Sequence, residues 1–139
     1  MLTIESLESE LKPLLPGLLG IRLTEADKDR VVATMMVRPD LCTTGATLHG
    51  GAMMAFADTL GAVGTFQNLT QGARTTTVDS TTKFIGSAMQ GSTVVGECTP
   101  FHRGRTTMVW QTLIKLESGK LCAVVTQTQL ILPASEDAR

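Results

Sequence analysis

The stretch from Ala52 to Phe66, AMMAFADTLGAVGTF, carries a single ionisable side chain, Asp58. Hydrophobic or small residues flank that aspartate on both sides, so a helix through the stretch has no solvated stripe. Such a helix is buried on most faces, and the rest of the chain has to cover it. A carboxylate in that setting must be paired, hydrogen-bonded or kept protonated, because bare burial is costly. A group held under those conditions is a candidate for chemistry. The alternative is a structural Asp bonded to backbone or to Thr59.

Around this helix the chain has room for a curved sheet. Thr3 to Leu15 places Ile4, Leu7, Leu11, Leu14 and Leu15 at helical spacing behind a possible N-cap, Thr3. Pro13, Pro16 and Gly17 close that segment, so residues 1–16 read as an N-terminal helical piece. Leu18–Leu23 and Arg30–Val37 are short β-branched-rich runs joined through Glu25–Asp29 as a hairpin. Residues 38–48 read as a loop, and the long helix as running from about His49 to Leu69. Four strands follow, over about Thr75–Phe84, Ser92–His102, Thr106–Glu117 and Lys120–Leu132. Gln90-Gly91, Arg103-Gly104 and Ser118-Gly119 separate them, and an antiparallel meander is expected. At 139 residues and 42% hydrophobic, the chain suits one domain, 1–139, with a real core. One apolar helix wrapped by a sheet is an α+β arrangement.

Several function classes are not expected. A net charge of −1 gives no electrostatic footprint for nucleic acid or an anionic membrane. The apolar stretch falls short of the ~20 residues that span a bilayer. The N-terminus is acidic and lacks a signal peptide's basic and apolar regions. Cys42, Cys98 and Cys122 are odd in number and lack CxxC spacing, which suits reduced thiols in a cytoplasmic protein. No His/Cys/Asp cluster has ligand spacing, so no metal is expected.

The helix opens on Leu48-His49-Gly50-Gly51. Glycines in the first turn leave backbone N–H groups uncovered, and the helix dipole adds partial positive charge there. That is hardware for a carbonyl oxygen becoming negative under attack. The alternative is a flexible junction, for which one glycine suffices. Nine residues at ~100° each put His49 and Asp58 on opposite helix faces, ~13 Å apart along the axis. A site using both Asp58 and the Gly50 N–H must therefore be assembled from two chains with antiparallel helices.

With these residues in view, the chain resembles the hotdog-fold thioesterases, in the PaaI-like and 4-hydroxybenzoyl-CoA thioesterase branch. The shared pattern is His49-Gly50-Gly51 with an acid nine residues after the His, Thr77-Val78-Asp79 before Phe84, and the later pair Gly104-Arg105. It covers roughly Leu18 to Leu132. The resemblance implies an acyl-CoA thioesterase acting on an acyl- or aryl-CoA, with no cofactor, coenzyme A being part of the substrate. Asp58 would be the catalytic carboxylate, as general base on water or as nucleophile. The Gly50 N–H would polarise the thioester carbonyl, His49 would brace the loop, and Thr77 would help place the water. Gly51 would add to the substrate-binding helix start, and Arg103, Gly104 and Arg105 would lie along the coenzyme A arm. A homodimer with shared sites is implied, usually within a homotetramer. Six residues before the His, where many relatives carry Asn or Gln, stands Thr43, whose hydroxyl reaches less far than an amide. The small residues Ala55, Gly61, Ala62 and Thr65 near Asp58 leave room for a thin acyl or pantetheine group, or else serve close helix–sheet packing.

Other groups carry blander readings. His102 with Arg103 and Arg105 is either a phosphate clamp or a solvated hairpin tip. Asp79, with Thr77 and Thr81 on its strand, reads as structurally hydrogen-bonded, Cys42 as an inert thiol without a basic partner, and the methionines as core filler suited to an adaptable pocket. Rival functions are a hotdog hydratase or dehydratase, which pairs His with an acid, and a non-catalytic acyl-CoA-binding protein, which has no need of Asp58.

Overall fold

The computed structural model describes residues 1–134; the end of the expected 1–139 domain lies outside the described residues. The elements run α1 (Ile4–Leu11), α2 (Leu15–Leu18), β1 (Arg22–Ala26), β2 (Val31–Met36), a 3-10 turn (Pro39–Leu41), the short strands β3 (Cys42–Thr43) and β4 (Thr47–Leu48), α3 (Gly50–Phe66), β5 (Arg74–Phe84), β6 (Thr93–Arg103), β7 (Thr107–Leu116) and β8 (Leu121–Leu132). Six strands form one antiparallel sheet in the order β1-β2-β6-β7-β8-β5, and β3 pairs with β4. The sheet wraps around α3, whose Phe56, Leu60 and Val63 are fully buried.

Several expectations change, among them the loop over residues 38–48, which folds into the 3-10 turn and the β3–β4 pair. The first strand starts at Arg22, because Pro16 at the start of α2 presets helical φ and turns Leu18 into a helix. A Cβ at Gly17 would lie 1.9 Å from the Lys12 carbonyl oxygen, so only glycine lets α2 fold back onto the end of α1. The long helix ends at Phe66 rather than Leu69, where the buried Gln67 side chain instead binds the carbonyls of Leu2 and Ala26. The meander covers only β6, β7 and β8. The connection from Phe84 to Thr93 is longer than the two to five residues of a hairpin loop. β5 therefore pairs with β8 at one sheet edge, while β6 crosses over to pair with β2. The Gln90-Gly91 turn chemistry marks the entry into β6, where the Gly91 N–H donates to the Val37 carbonyl.

α3 lies close to the sheet because it lacks side chains where it crosses. A Cβ on Gly61 would lie 2.0 Å from Gln127 Nε2, and one on Gly64 would lie 2.8 Å from the Trp110 ring. The Trp110 Nε1–H donates to Thr65 Oγ1 at 2.9 Å, and that hydroxyl donates to the Gly61 carbonyl at 2.9 Å. Gly61 and Thr65 thus serve helix–sheet packing and open no space beside Asp58. The face that stays half-open carries Met54, Ala55, Asp58 and Ala62. Among the described residues, no helix is long and apolar enough to cross a membrane.

Candidate active site

The loop before α3 is pinned from both sides. The His49 N–H donates to the Leu41 carbonyl, and the Leu48 N–H to that of Ala88. Thr43 pairs with Thr47 in the β3–β4 hairpin and is exposed. His49 is the N-cap: its Nδ1 accepts from the Gly51 N–H at 2.8 Å. An accepting Nδ1 carries no proton, so the cap fixes the tautomer with the proton on Nε2. Of the two first-turn glycines, Gly51 thus has its N–H occupied. Among the described residues, nothing accepts from the Gly50 N–H. The Phe84 ring stands 3.0 Å from where a Gly50 Cβ would be, so the end of β5 flanks the helix start.

Asp58 lies on the half-open face of α3, half-buried. Thr77 Oγ1 donates to its Oδ1 at 2.6 Å. Behind Thr77, Gln129 Nε2 donates to Thr77 Oγ1 at 2.6 Å, and Thr75 Oγ1 donates to Gln129 Oε1 at 2.8 Å. Gln127 Nε2 holds the Asp58 backbone carbonyl at 3.3 Å. Thr59 donates instead to the Ala55 carbonyl, so the alternative pairing of Asp58 with Thr59 does not occur. None of the ion pairs among the described residues involves Asp58. Beside it opens a cavity of about 270 Å³ lined by Leu11, Leu15, Pro16, Ala55, Asp58, Thr59, Ala62 and Phe66. Asp58 and Thr77 therefore meet. Gly50 and Asp58 of one chain do not, since eight residues of helix separate them by ~12 Å.

The basic turn after β6 is only partly free. Arg103 Nη1 donates to Asp29 Oδ1 at 2.6 Å and to the Lys28 carbonyl at 2.9 Å, tying β6 to the β1–β2 turn. Arg105 is exposed, with no salt-bridge partner among the described residues. The Gly104 N–H closes the turn on the Thr107 carbonyl, and a Cβ there would strike His102. The phosphate clamp of three basic residues thus reduces to Arg105, with exposed His102 beside it.

Asp79 departs from its expected structural bond. A bulge between Thr77 and Asp79 inserts Val78, so Asp79 faces outward with no side-chain hydrogen bond among the described residues. The Cys42 thiol donates to the Arg38 carbonyl. Burial pushes the Cys98 thiol up to about 12. Among the described residues, no three His, Cys, Asp or Glu side chains gather as a metal site.

Sequence reasoning missed Gln127, Gln129 and Thr75, and the part of Leu11, Leu15 and Pro16 in lining the cavity. A signal for the glutamines existed. In β8 the buried residues Ala123, Val125, Gln127 and Gln129 share one parity, which puts two amides on an otherwise apolar face.

The family model described as the Thioesterase superfamily matches residues 45–123. The chain is 30% identical to the 1,4-dihydroxy-2-naphthoyl-CoA hydrolase of Escherichia coli, over 94% of this chain and 96% of that protein. It is 31% identical to the proofreading thioesterase EntH of Cronobacter turicensis, over 87% and 88%. Among solved structures, a thioesterase from Haemophilus influenzae superposes with a TM-score of 0.92 at 27% identity, covering 100% of this chain and 96% of that one.

Proposed function

The chain belongs to the thioesterase superfamily and is a thioester hydrolase of the hotdog fold, and from that premise we propose that it hydrolyses an acyl- or aryl-CoA to the free acid and coenzyme A at sites shared between two copies. The observation that carries this reading is the carboxylate of Asp58, held at one oxygen by Thr77 and lining an apolar cavity. In the proposed reaction, Asp58 takes a proton from water as the water oxygen bonds to the thioester carbonyl carbon. The carbonyl oxygen becomes negative and is met by the Gly50 N–H of the partner, where the helix dipole favours it. The C–S bond then breaks, and the thiolate leaves with a proton returned by Asp58. The acyl group enters the cavity of about 270 Å³, well above the ~150 Å³ cavity that accepts benzene. No cofactor takes part in this reading. The exposed Arg105, which the resemblance assigns to the coenzyme A arm, would meet a phosphate of the substrate.

A dimer solves the separation of Gly50 from Asp58. β5 is an edge strand whose outer side has no partner strand among the described residues, and Val78, Phe84 and Ile85 are exposed on or just beyond it. Long exposed edges of this kind pair with another chain. Thr77 marks the Asp58 end of β5, and Phe84 marks the Gly50 end. Antiparallel pairing of two β5 strands centred near Ser80–Thr81 would set the partner's Phe84 opposite Thr77. Each Asp58 would then face the partner's Gly50. Two such dimers in a tetramer are the assembly expected from the resemblance. Cys42, Cys98 and Cys122, all free thiols, suit action in the reducing cytoplasm.

The direct test is Asp58→Asn, assayed by steady thiol release from a panel of acyl-CoAs. The expected outcome is a folded oligomer with turnover lower by ~10²–10⁴. Hydrolysis near the wild-type rate would make Asp58 structural. The same panel separates the rivals, since a binding protein shows no steady release and a hydratase alters the acyl group without releasing thiol.

A further inference from the structure

Beneath the candidate base, β8 presents a fully buried amide to a hydroxyl, and hydrogen-bond polarity then dictates which way each group points. Thr77 Oγ1 lies 2.6 Å from Asp58 Oδ1 and 2.6 Å from Gln129 Nε2. A hydroxyl has one proton, and an ionised carboxylate only accepts. Two oxygens at 2.6 Å need a proton between them, so with Asp58 ionised that proton must come from Thr77. Thr77 can give it away only if its other neighbour donates rather than accepts. Gln129 meets that need by turning its amide nitrogen to Thr77, and Thr75 backs the orientation with a single proton placed 2.8 Å from Gln129 Oε1 and 3.0 Å from the Leu130 carbonyl, the shorter contact being to Gln129. Gln129 is 0% exposed, so no water competes for its amide.

Resting on the reading of Asp58 as general base, we infer that Gln129 is a positioning residue of the reaction: through Thr77 it locks one carboxylate oxygen of Asp58 as an acceptor and leaves the other for the attacking water. Thr75 is the outer member of the same relay, which reads Thr75, Gln129, Thr77, Asp58. Were the Gln129 amide reversed, its oxygen would draw the Thr77 proton away, and two oxygens would face each other at the base without a proton. The relay therefore keeps one Asp58 oxygen occupied as an acceptor and the other open to water. Within one chain, no other charge of the described residues enters the arrangement. Asp58 is the sole ionisable residue of α3, β8 contributes only the buried Cys122, and the cavity wall from α1 and α2 contributes Leu11, Leu15 and Pro16. On β5, Arg74 and Lys83 are exposed at its ends, and Asp79 faces outward beyond the bulge.

The test is the pH dependence of kcat/KM, measured with the acyl-CoA that the wild-type oligomer turns over fastest. Its acid limb reports the base in the free enzyme. Gln129→Met, similar in length but without the amide, is expected to move that limb to higher pH, because Thr77 keeps its proton but loses the donor that holds it toward the charged form. Thr77→Val moves it at least as far, Thr77→Ser leaves it in place, and the double variant moves it no further than Thr77→Val alone, since Gln129 acts through Thr77. A wild-type limb in Gln129→Met, or a double variant showing the sum of the two single shifts, overturns the proposal. If thermal melting shows that Gln129→Met does not fold, Thr75→Val at the half-buried outer end serves instead. It is expected to give a smaller shift of the same sign, and an unmoved limb overturns the relay equally. Asp58→Asn, run in parallel, separates the two failures. An inactive Asp58→Asn with an unmoved limb in Gln129→Met sinks the relay alone, whereas an active Asp58→Asn sinks the base on which it rests.

Discussion

Position 43 divides two accounts of the thioester carbonyl. Thr43 sits exposed on a two-residue strand just before the helix start, where a hydroxyl offers one short donor. If that hydroxyl supplies a second contact to the developing oxyanion, Thr43→Val lowers kcat and kcat/KM together, by up to ~10²–10³. If it only packs the hairpin, Val changes little, and Thr43→Asn becomes informative, since a rise in turnover would mean an incomplete oxyanion hole. We expect the effect of Val to be small, near the bottom of that range or below it, because Thr43 reaches less far than an amide. Unchanged kinetics in both variants would remove the position from catalysis. At this scale, legibility followed broken local rules. Asp58 was visible as a charge in an apolar helix, and His49-Gly50 as glycine where a helix gains nothing from it. Thr77 came into view only through the family resemblance, since threonines crowd the whole of β5. The bulge at Val78 was invisible because nothing in Thr-Thr-Val-Asp signals one, and it alone decides that Asp79 looks away from the site.

The helix α3 shows how far element-level patterns carry. Its apolar run announced a buried helix, and the strand boundaries of β5 to β8 follow from alternation and turn residues to within one or two positions. Strand order was not readable in the same way. Gln90-Gly91 has the chemistry of a hairpin turn, yet which strand lies beside β2 is decided by the sheet closing around α3, a long-range matter. The glycines of α3 were ambiguous for a similar reason, because small residues line a ligand site and a tight packing seam alike. Trp110 settles Gly64. Gly64→Ala gains ~0.5–1 kcal/mol in helix preference, but forces a Cβ to within 2.8 Å of the indole, and overpacking of that kind costs ~1–3 kcal/mol. The net expectation is a loss of roughly 1 kcal/mol in urea unfolding. Equal or greater stability would show that the Trp110–Thr65 hydrogen bond tolerates movement of the ring.

For the whole molecule, the proposed site exists only between copies. Mixing Asp58→Asn chains with Gly50→Pro chains, which lack that N–H, is expected to restore part of the activity, because a hybrid pair contains one site with both Asp58 and the Gly50 N–H intact. Verified mixed dimers without activity, or a fully active monomer by sedimentation, would count against the shared site. The separation from which a two-chain site is proposed was legible in the sequence, because helix geometry alone sets His49 apart from Asp58. The surface that would meet the requirement was not, since the edge position of β5 depends on the crossover.

That crossover also sets an order of assembly in time. β6, β7 and β8 join through tight turns and are cheap to close, whereas β5 meets its partner strand across a long loop, with Thr77 and Gln129 separated by 52 positions. During synthesis, the chain carries Asp58 and Thr77 well before residue 129 exists. The carboxylate therefore acquires its orienting partners only when the last strand arrives, and the same docking aligns the edge on which a second copy would pair. On the proposed reading, maturation of the base and readiness to dimerise are thus a single late event.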